Sequence, residues 1–332
     1  MSDLAAVVER ERAETAMDAL AAEGVYDDSR SVRPYGEGVA VPVTAPPERV
    51  DVLEVVETDL PPRNRDLRDL LAARGWTDDE LDRAPASWAV VGTCVLVRAR
   101  EESLPRPDEV GEALLELHGE ADTVLLSHGI AGEHREPDVE VLAGLGDTEV
   151  VHTEHGTRYA LDLAETMFSP GNQAERVRMG EVVAPDERVL DMFAGIGYFT
   201  LPMARAGADV TAVEVNPTAY RYLVENAVLN GVEDRVSAFR ADCRDVDAAA
   251  DRVVMGYYDA PDYLDAALDA LAPGGTVHLH ATTPESDPWA HPVSRLESVA
   301  GERGRGVEVG DRRVVKSHAP GVEHVVVDAI VD

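Results

Sequence analysis

Strand and helix patterns alternate from residue 188 onward, and that alternation limits this part of the chain to a parallel α/β sheet. "RVLDMF" reads as a buried strand and "FTLPMARAG" as a helix closed by Gly207. "DVTAVEV" is the next strand, and "PTAYRYLVENAVLNG" is a helix with Pro217 at its start and Gly231 at its end. "RVSAFRAD" and "DRVVMGYY" read as strands, "PDYLDAALDAL" as a helix stopped by Pro273-Gly274-Gly275, and "TVHLHAT" as a further strand. The tail "RRVVKSHAPGVEHVVVDAIVD" holds two β-rich runs around a Pro-Gly turn, which predicts a closing antiparallel hairpin. The order is five parallel strands and then a hairpin.

Upstream the pattern is less regular. "MSDLAAVVERERAETAMDALAAEG" predicts a helix, and "PPRNRDLRDLLAARG" another, entered through two prolines. "SWAVVGTCVLVRA" and "ADTVLLSHGIAG" predict strands with the helix "PDEVGEALLELHG" between them. A chain of 332 residues exceeds one ordinary core. The expected division is an N-terminal cap region over residues 1–75, a small α/β domain over 76–165 and a Rossmann-like domain over 166–332.

The net charge of -34 ordinarily argues against a nucleic-acid partner, because phosphate binding rests on basic patches. Here Lys316 is the one lysine, and acidic residues run along the whole chain and not in a tail. That distribution fits a halophilic protein of a high-salt cytoplasm. At about 1 M salt the Debye length is roughly 3 Å, so close arginine–phosphate contacts survive while long-range repulsion is screened. RNA is therefore not excluded, and an acidic enzyme of small molecules stays open beside it. No apolar run reaches about 18 residues and the N-terminus is charged, so neither a membrane span nor a secretory leader is predicted and a cytoplasmic protein is expected. Cys94 and Cys243 lie far apart with no Cys/His cluster near either, which predicts two thiols and no metal. The pairs His152/His155 and His278/His280 lack a third ligand and read as loop or strand-face histidines.

Three strand ends carry the candidate chemistry. In "DMFAGIGYFT", Asp191 ends a strand, and Gly195 and Gly197 allow a tight turn and close approach to a ligand. Glu214 closes the next strand, where its carboxylate can accept from both hydroxyls of a ribose. Asp242-Cys243 closes the third, where a carboxylate and a backbone amide can meet the edge of adenine. With no diphosphate-binding pattern and no Gly-Lys-Ser/Thr ending, S-adenosyl-L-methionine is favoured over NAD or a nucleoside triphosphate.

The stretch "HTEHGTRYALDLAETMFSPGNQAERVRMGEVV", with "DMFAGIGYFT", "VEVNPTAYRYLVENAVLNG" and "RADCRDV", resembles one archaeal and eukaryotic family. That family holds the tRNA guanine-37 N1-methyltransferases and the wybutosine-pathway aminocarboxypropyltransferases. The resemblance covers roughly residues 85 to 332. It implies a class I methyltransferase fold behind a small α/β domain, acting at position 37 beside the anticodon of tRNA(Phe). By the match to "MFSPGNQAERVR", Ser169 and Arg176 join Glu214, Asp242 and Cys243 as cofactor-binding residues, with Arg176 offering a fork for the carboxylate of the methionine moiety. Methylating members carry an Asn-Leu-Pro type of motif on the fourth strand. Here the position reads Met255-Gly256-Tyr257-Tyr258-Asp259, which resembles the aminocarboxypropyltransferase branch. Gly256 would let a tricyclic base approach, Tyr257 or Tyr258 would stack on it, and Asp259 is the candidate to assist proton loss. The implied reaction moves the 3-amino-3-carboxypropyl group of S-adenosylmethionine to C7 of 4-demethylwyosine, and the guanine-37 N1-methyltransferase is the alternative. Arg98, Arg100, Arg135, Arg158 and Arg178 are candidate phosphate contacts.

Overall fold

The computed structural model describes residues 3–36, 38–61, 63, 66–98, 103–132 and 135–332. Met1–Ala84 forms one compact unit and Pro85–Asp332 another. In the first, β1 (Asp3–Glu9) leads through a short 3-10 turn to α1 (Ala13–Glu23), followed by β2 (Arg33–Tyr35), β3 (Gly38–Pro42) and β4 (Glu54–Thr58). The strands make one antiparallel sheet in the order β2-β3-β1-β4. The helix expected over the N-terminal stretch is therefore corrected, because its first part is the strand β1. Ala6 and Val8 enter one apolar cluster with Leu20 and Val41, while Ala5 joins Ala40 and Leu60 in another. Successive side chains thus serve two cores with the period of a strand, and pairing on both edges outweighs the helix propensity of Leu-Ala-Ala. The unit ends in α2 (Leu67–Ala73) and α3 (Asp78–Arg83). Asp66 caps α2, and Thr77 with Glu80 forms a capping box on α3.

The second unit opens with β5 (Trp88–Val91), β6 (Cys94–Arg98), α4 (Pro107–Leu117), β7 (Thr123–Ala131) and β8 (Glu136–Gly144), a sheet in the order β5-β6-β7-β8. "SWAVVGTCVLVRA" is a hairpin and not the single strand expected: the chain reverses at Gly92-Thr93 so that Val91 pairs with Cys94. β6 and β7 run parallel across α4. A separate hairpin, β9 (Glu149–Glu154) and β10 (Thr157–Asp162), precedes a 3-10 turn at Pro170–Asn172 and the helix α5 (Gln173–Val182).

The large sheet follows. Its elements are β11 (Arg188–Asp191), α6 (Thr200–Arg205), β12 (Asp209–Val213), α7 (Pro217–Leu229), β13 (Val236–Phe239), β14 (Ala250–Met255), α8 (Leu264–Ala270), β15 (Leu271–Pro284), α9 (Ala290–Glu302), β16 (Val307–Ala319) and β17 (Val322–Val331). The order is β13-β12-β11-β14-β15-β17-β16, with the first five parallel and the last two antiparallel. This is the expected set of five parallel strands closed by a hairpin that turns at Pro320-Gly321. Two details differ. The helix read as stopped by Pro273-Gly274-Gly275 ends at Ala270, and those three residues lie in β15. α9 was not foreseen, although Pro292, Leu296, Val299 and Ala300 give it a buried stripe at helical spacing.

Both faces of the sheet are buried, as a parallel sheet requires. Val189, Val210 and Val254 pack with Leu201 of α6, Leu223 of α7 and Met179 of α5, and that cluster continues into Val91, Leu125, Val150 and Tyr159. Leu190, Val253 and Leu279 pack with Leu264 and Leu268 of α8 and Leu296 of α9. The C-terminal ends of β11, β12, β13 and β14 are left to form a crevice, where open α/β sheets bind ligands.

Candidate active site

β11 ends at Asp191, which is fully buried; the Thr200 hydroxyl donates to its Oδ2 at 2.7 Å, and burial pushes the carboxyl up to about 6. The chain then turns back through Gly195 (φ 56°) and Gly197 (φ 102°) into α6. A Cβ on Gly195 would lie 2.4 Å from the Tyr198 ring, and one on Gly197 would lie 2.8 Å from Leu201, so both positions need glycine for space as well as for φ. Glu214, just after β12, ties this loop down. Its Oε2 accepts from the Gly195 amide and its Oε1 from the Asn216 amide, each at 2.7 Å. A carboxylate oxygen accepts more than one hydrogen bond, so capacity for sugar hydroxyls is retained. Asn216 in turn caps α7 by accepting from Thr218 and Ala219.

Beyond β13, Asp242 accepts from the Arg244 amide at 2.9 Å and from its guanidinium at 2.9 and 2.5 Å, which holds the carboxyl below its usual range. Cys243 is a buried thiol pushed up to about 12 by burial and by Asp242. Phe193 stacks on Tyr257 with centroids 5.1 Å apart and meets Tyr263 edge-on at 5.0 Å. Glu214, Asp242, Cys243, Phe193, Tyr257 and Tyr263 line one cavity. Backbone-anchored carboxylates, flat aromatic surface and a glycine turn together fit the nucleoside half of S-adenosylmethionine. Sequence reasoning singled out neither Phe193 nor Tyr263, although Phe193 stands inside the glycine-loop motif.

At the fourth strand end Gly256 lines the cavity, and a Cβ there would stand 2.6 Å from the Phe199 ring, so the missing side chain also makes room for Phe199. Tyr258 also lines the cavity; Arg135 lies 5.1 Å above its ring, and His318 and His324 meet it edge-on at 4.6 and 5.0 Å. Asp259 is exposed beside Tyr257 and is not part of the lining; burial and that carboxylate raise the Tyr257 hydroxyl.

Arg176, expected to offer a fork to a ligand carboxylate, is engaged with neighbouring residues in the structure. Arg176 is 2% exposed and lies outside the cavity lining. Its Nε and Nη2 donate to Glu154 at 2.7 and 2.8 Å, its Nη1 donates to the Ser169 carbonyl at 2.9 Å, and its guanidinium covers the Phe168 ring at 4.9 Å. Each of its three nitrogens makes one of these bonds, which ties the Ser169 turn to Glu154 and leaves a second N–H on Nη1 and on Nη2. Ser169 is itself buried, and its Oγ accepts from Lys316 Nζ at 2.6 Å.

Of the arginines expected to meet phosphates, Arg178 pairs with Glu175 and Asp328, and Arg158 donates to the Leu229 carbonyl. Arg98 is exposed, Arg135 lines the cavity, and Arg100 lies outside the described residues. His152 contacts Glu154 and accepts from the Gly92 amide; His278 bridges Arg252 and Asp328; His280 is hydrogen-bonded to His324. Among the described residues no group of three metal-binding side chains occurs and no helix is long and apolar enough to cross a membrane.

Comparison with known proteins agrees with this geometry. The TRM5/TYW2 methyltransferase domain matches residues 150–309, and the TYW2 N-terminal domain matches residues 67–148. The tRNA(Phe) (4-demethylwyosine(37)-C(7)) aminocarboxypropyltransferase of Pyrococcus horikoshii is 43% identical over 248 residues, which is 74% of this chain and 88% of that protein. The crystal structure of P. horikoshii TYW2 in complex with MeSAdo superposes with a TM-score of 0.70 at 38% identity, covering 80% of this chain and 97% of that one. The crystal structure of Trm5b from Pyrococcus abyssi superposes with a TM-score of 0.76 at 31% identity, covering 99% of both chains. With its sheet order, its glycine loop and these relatives in agreement, the chain belongs to the TRM5/TYW2 methyltransferase family.

Proposed function

We propose that this protein transfers the 3-amino-3-carboxypropyl group of S-adenosylmethionine to C7 of 4-demethylwyosine at position 37, in the anticodon region of tRNA(Phe), within a salt-rich cytoplasm. The observation that carries the reading is the 43% identity to an aminocarboxypropyltransferase over 88% of its length. The fourth strand end supports it, since Tyr257 and Tyr258 line the cavity at the position where the resemblance expects an Asn-Leu-Pro type of motif in methylating members.

In this reading Glu214 and the Gly195 turn hold the ribose, and Asp242 with the Cys243 backbone meets the adenine edge. Phe193, Tyr257 and Tyr263 wall the nucleoside, and Tyr258 offers aromatic surface to the tricyclic base. C7 attacks the γ-carbon of the methionine moiety; the new C–C bond forms as the γ-carbon–sulfur bond breaks, and its electron pair leaves on 5′-methylthioadenosine. The proton displaced from C7 passes to water, with Asp259 assigned to assist. Because a methyl and a γ-carbon hang on the same sulfonium, placement of the base selects the product.

The test is an isotope experiment in molar salt on tRNA(Phe) carrying 4-demethylwyosine. Label from the carboxyl carbon of S-adenosylmethionine should enter the tRNA, methyl label should not, and methylthioadenosine should accumulate. Methyl label on unmodified guanine-37, with S-adenosylhomocysteine as by-product, would replace this reading by the N1-methyltransferase.

A further inference from the structure

One part of the cavity lining carries a cation, Arg135, in a chain with 64 acidic residues against 30 basic ones. Met167 and Asn172 line the same cavity. Ser169 and Lys316 are not in that lining but stand next to it, where the Ser169–Asn172 turn packs on Lys316. Ser169 Oγ accepts from Nζ at 2.6 Å, and a Cβ on Gly171 would meet Lys316 Cδ at 3.2 Å, so the glycine lets the lysine stem pass. Arg176, pinned to Glu154, braces the same turn through the Ser169 carbonyl. Lys316 senses Arg98, Arg135 and Arg176 as neighbouring charges, and burial together with those cations lowers its ammonium to about 8.

These cations differ in one respect. Arg176 has its carboxylate, whereas no ion pair to Lys316 or Arg135 occurs among the described residues. Half-buried cations without a counter-charge are costly, and in so acidic a chain a partner was easily available. The composition adds a second anomaly: every other cationic side chain is arginine, and the one lysine stands here. An ammonium spends one proton on Ser169 and keeps two for an incoming oxyanion.

We propose that Lys316, seated by Ser169 and Gly171 and assisted by Arg135, is the positioning residue that receives the α-carboxylate of the group to be transferred. This deepens the proposed function, since it rests on S-adenosylmethionine filling the cavity with its nucleoside toward Glu214 and Asp242. A carboxylate suits the site better than a tRNA phosphate because Lys316 lies under the turn and Ser169 is 9% exposed, whereas a backbone phosphate meets its cations at the surface.

Calorimetry without tRNA, in molar salt, tests this with Lys316→Met and Lys316→Arg. Lys316→Met should weaken S-adenosylmethionine by about tenfold or more, the size of a lost charge-assisted hydrogen bond, and leave methylthioadenosine, which has no carboxylate, unchanged. Lys316→Arg should recover most of the loss. A pH series adds a readout that mere packing would not move. The groups facing Lys316 are Arg98, Arg135, Arg176, His318 and His324. Burial lowers both histidines, which stay neutral above pH 7, so the ammonium is the group that changes. Wild-type affinity for S-adenosylmethionine should fall as pH rises through about 8 more steeply than that of Lys316→Arg, which shares the ligand's own titration. Equal losses for both ligands, or intact S-adenosylmethionine binding, would overturn the assignment, and weakened tRNA binding by Lys316→Met in a separate titration would then favour a phosphate site. Because both possible transfers use the same co-substrate, this result stands or falls independently of the isotope experiment.

Discussion

Arg176 grips Glu154 and Arg244 grips Asp242, each through two guanidinium nitrogens, yet the first pair is 3% and 7% exposed and the second 60% and 32%. The chemistry of the two forks is the same and the environment decides what each can do. A buried fork is committed, because releasing either member strands a charge away from water. An exposed fork is exchangeable, because water and salt compensate whichever partner leaves. Glu214 differs from both: it accepts from two backbone amides, Gly195 on the glycine loop and Asn216 at the start of α7.

The largest effect should follow from breaking the committed pair. Arg176→Ala is expected to cost about 3–5 kcal/mol of stability, read by denaturant unfolding in molar salt. The pH dependence gives the sign. Burial pushes the Glu154 carboxyl up, but hydrogen bonds from His152 and the charge of Arg176 more than offset it and hold it below its ordinary 4.5. The wild-type contribution is thus present above about 4.5 and lost as pH falls through the folded value. In Arg176→Ala burial dominates, the carboxyl rises, and the variant regains stability as pH falls from neutral. The gap between the two proteins should therefore narrow toward acid pH; a gap that stays constant would mean that Glu154 never carried the cost of an unpaired charge.

The same contrast explains what could be read in the sequence. The sheet was legible because its strands are continuous apolar runs whose ends carry glycine or acidic residues, and five of them fell in the right order. β1 was not legible, since Leu-Ala-Ala-Val-Val suits a helix until β3 and β4 pair with it from residues more than thirty positions away. Glu214, Asp242 and Cys243 could be placed at the cavity because they follow strand ends by one, three and four residues, where topology alone fixes position. The pairing of Arg176 could not be read, because its partner Glu154 is 22 residues upstream on a hairpin with no periodic link to α5. Lys316 lies 147 residues from Ser169, and its one sequence signal was being the chain's sole lysine.

An intermediate effect is expected at Glu214. Glu214→Ala removes the acceptor proposed for the ribose and the acceptor of the Gly195 and Asn216 amides, so S-adenosylmethionine and methylthioadenosine should both weaken by about 10- to 100-fold in calorimetry. This sharpens the comparison, because the loss is common to both ligands where that of Lys316→Met is confined to one. Unchanged methylthioadenosine binding would remove Glu214 from the nucleoside site.

The smallest effect belongs to the exposed fork. Arg244→Ala takes a guanidinium from Asp242 and from the face of Tyr263, 5.0 Å away, but leaves the carboxylate on the cavity lining. With the arginine gone, Asp242 has more capacity to accept from an adenine amino group, while its carboxyl, released from that side-chain hydrogen bond, titrates higher. These changes oppose each other at a solvated site, so methylthioadenosine affinity at neutral pH should stay within about threefold of wild type. The difference should shrink further between low and molar salt, since an exposed pair is screened where the Glu154 pair is not. A tenfold loss that persisted in molar salt would show that Arg244 orients Asp242 as firmly as Arg176 orients Glu154, and burial would then not be what separates the two forks.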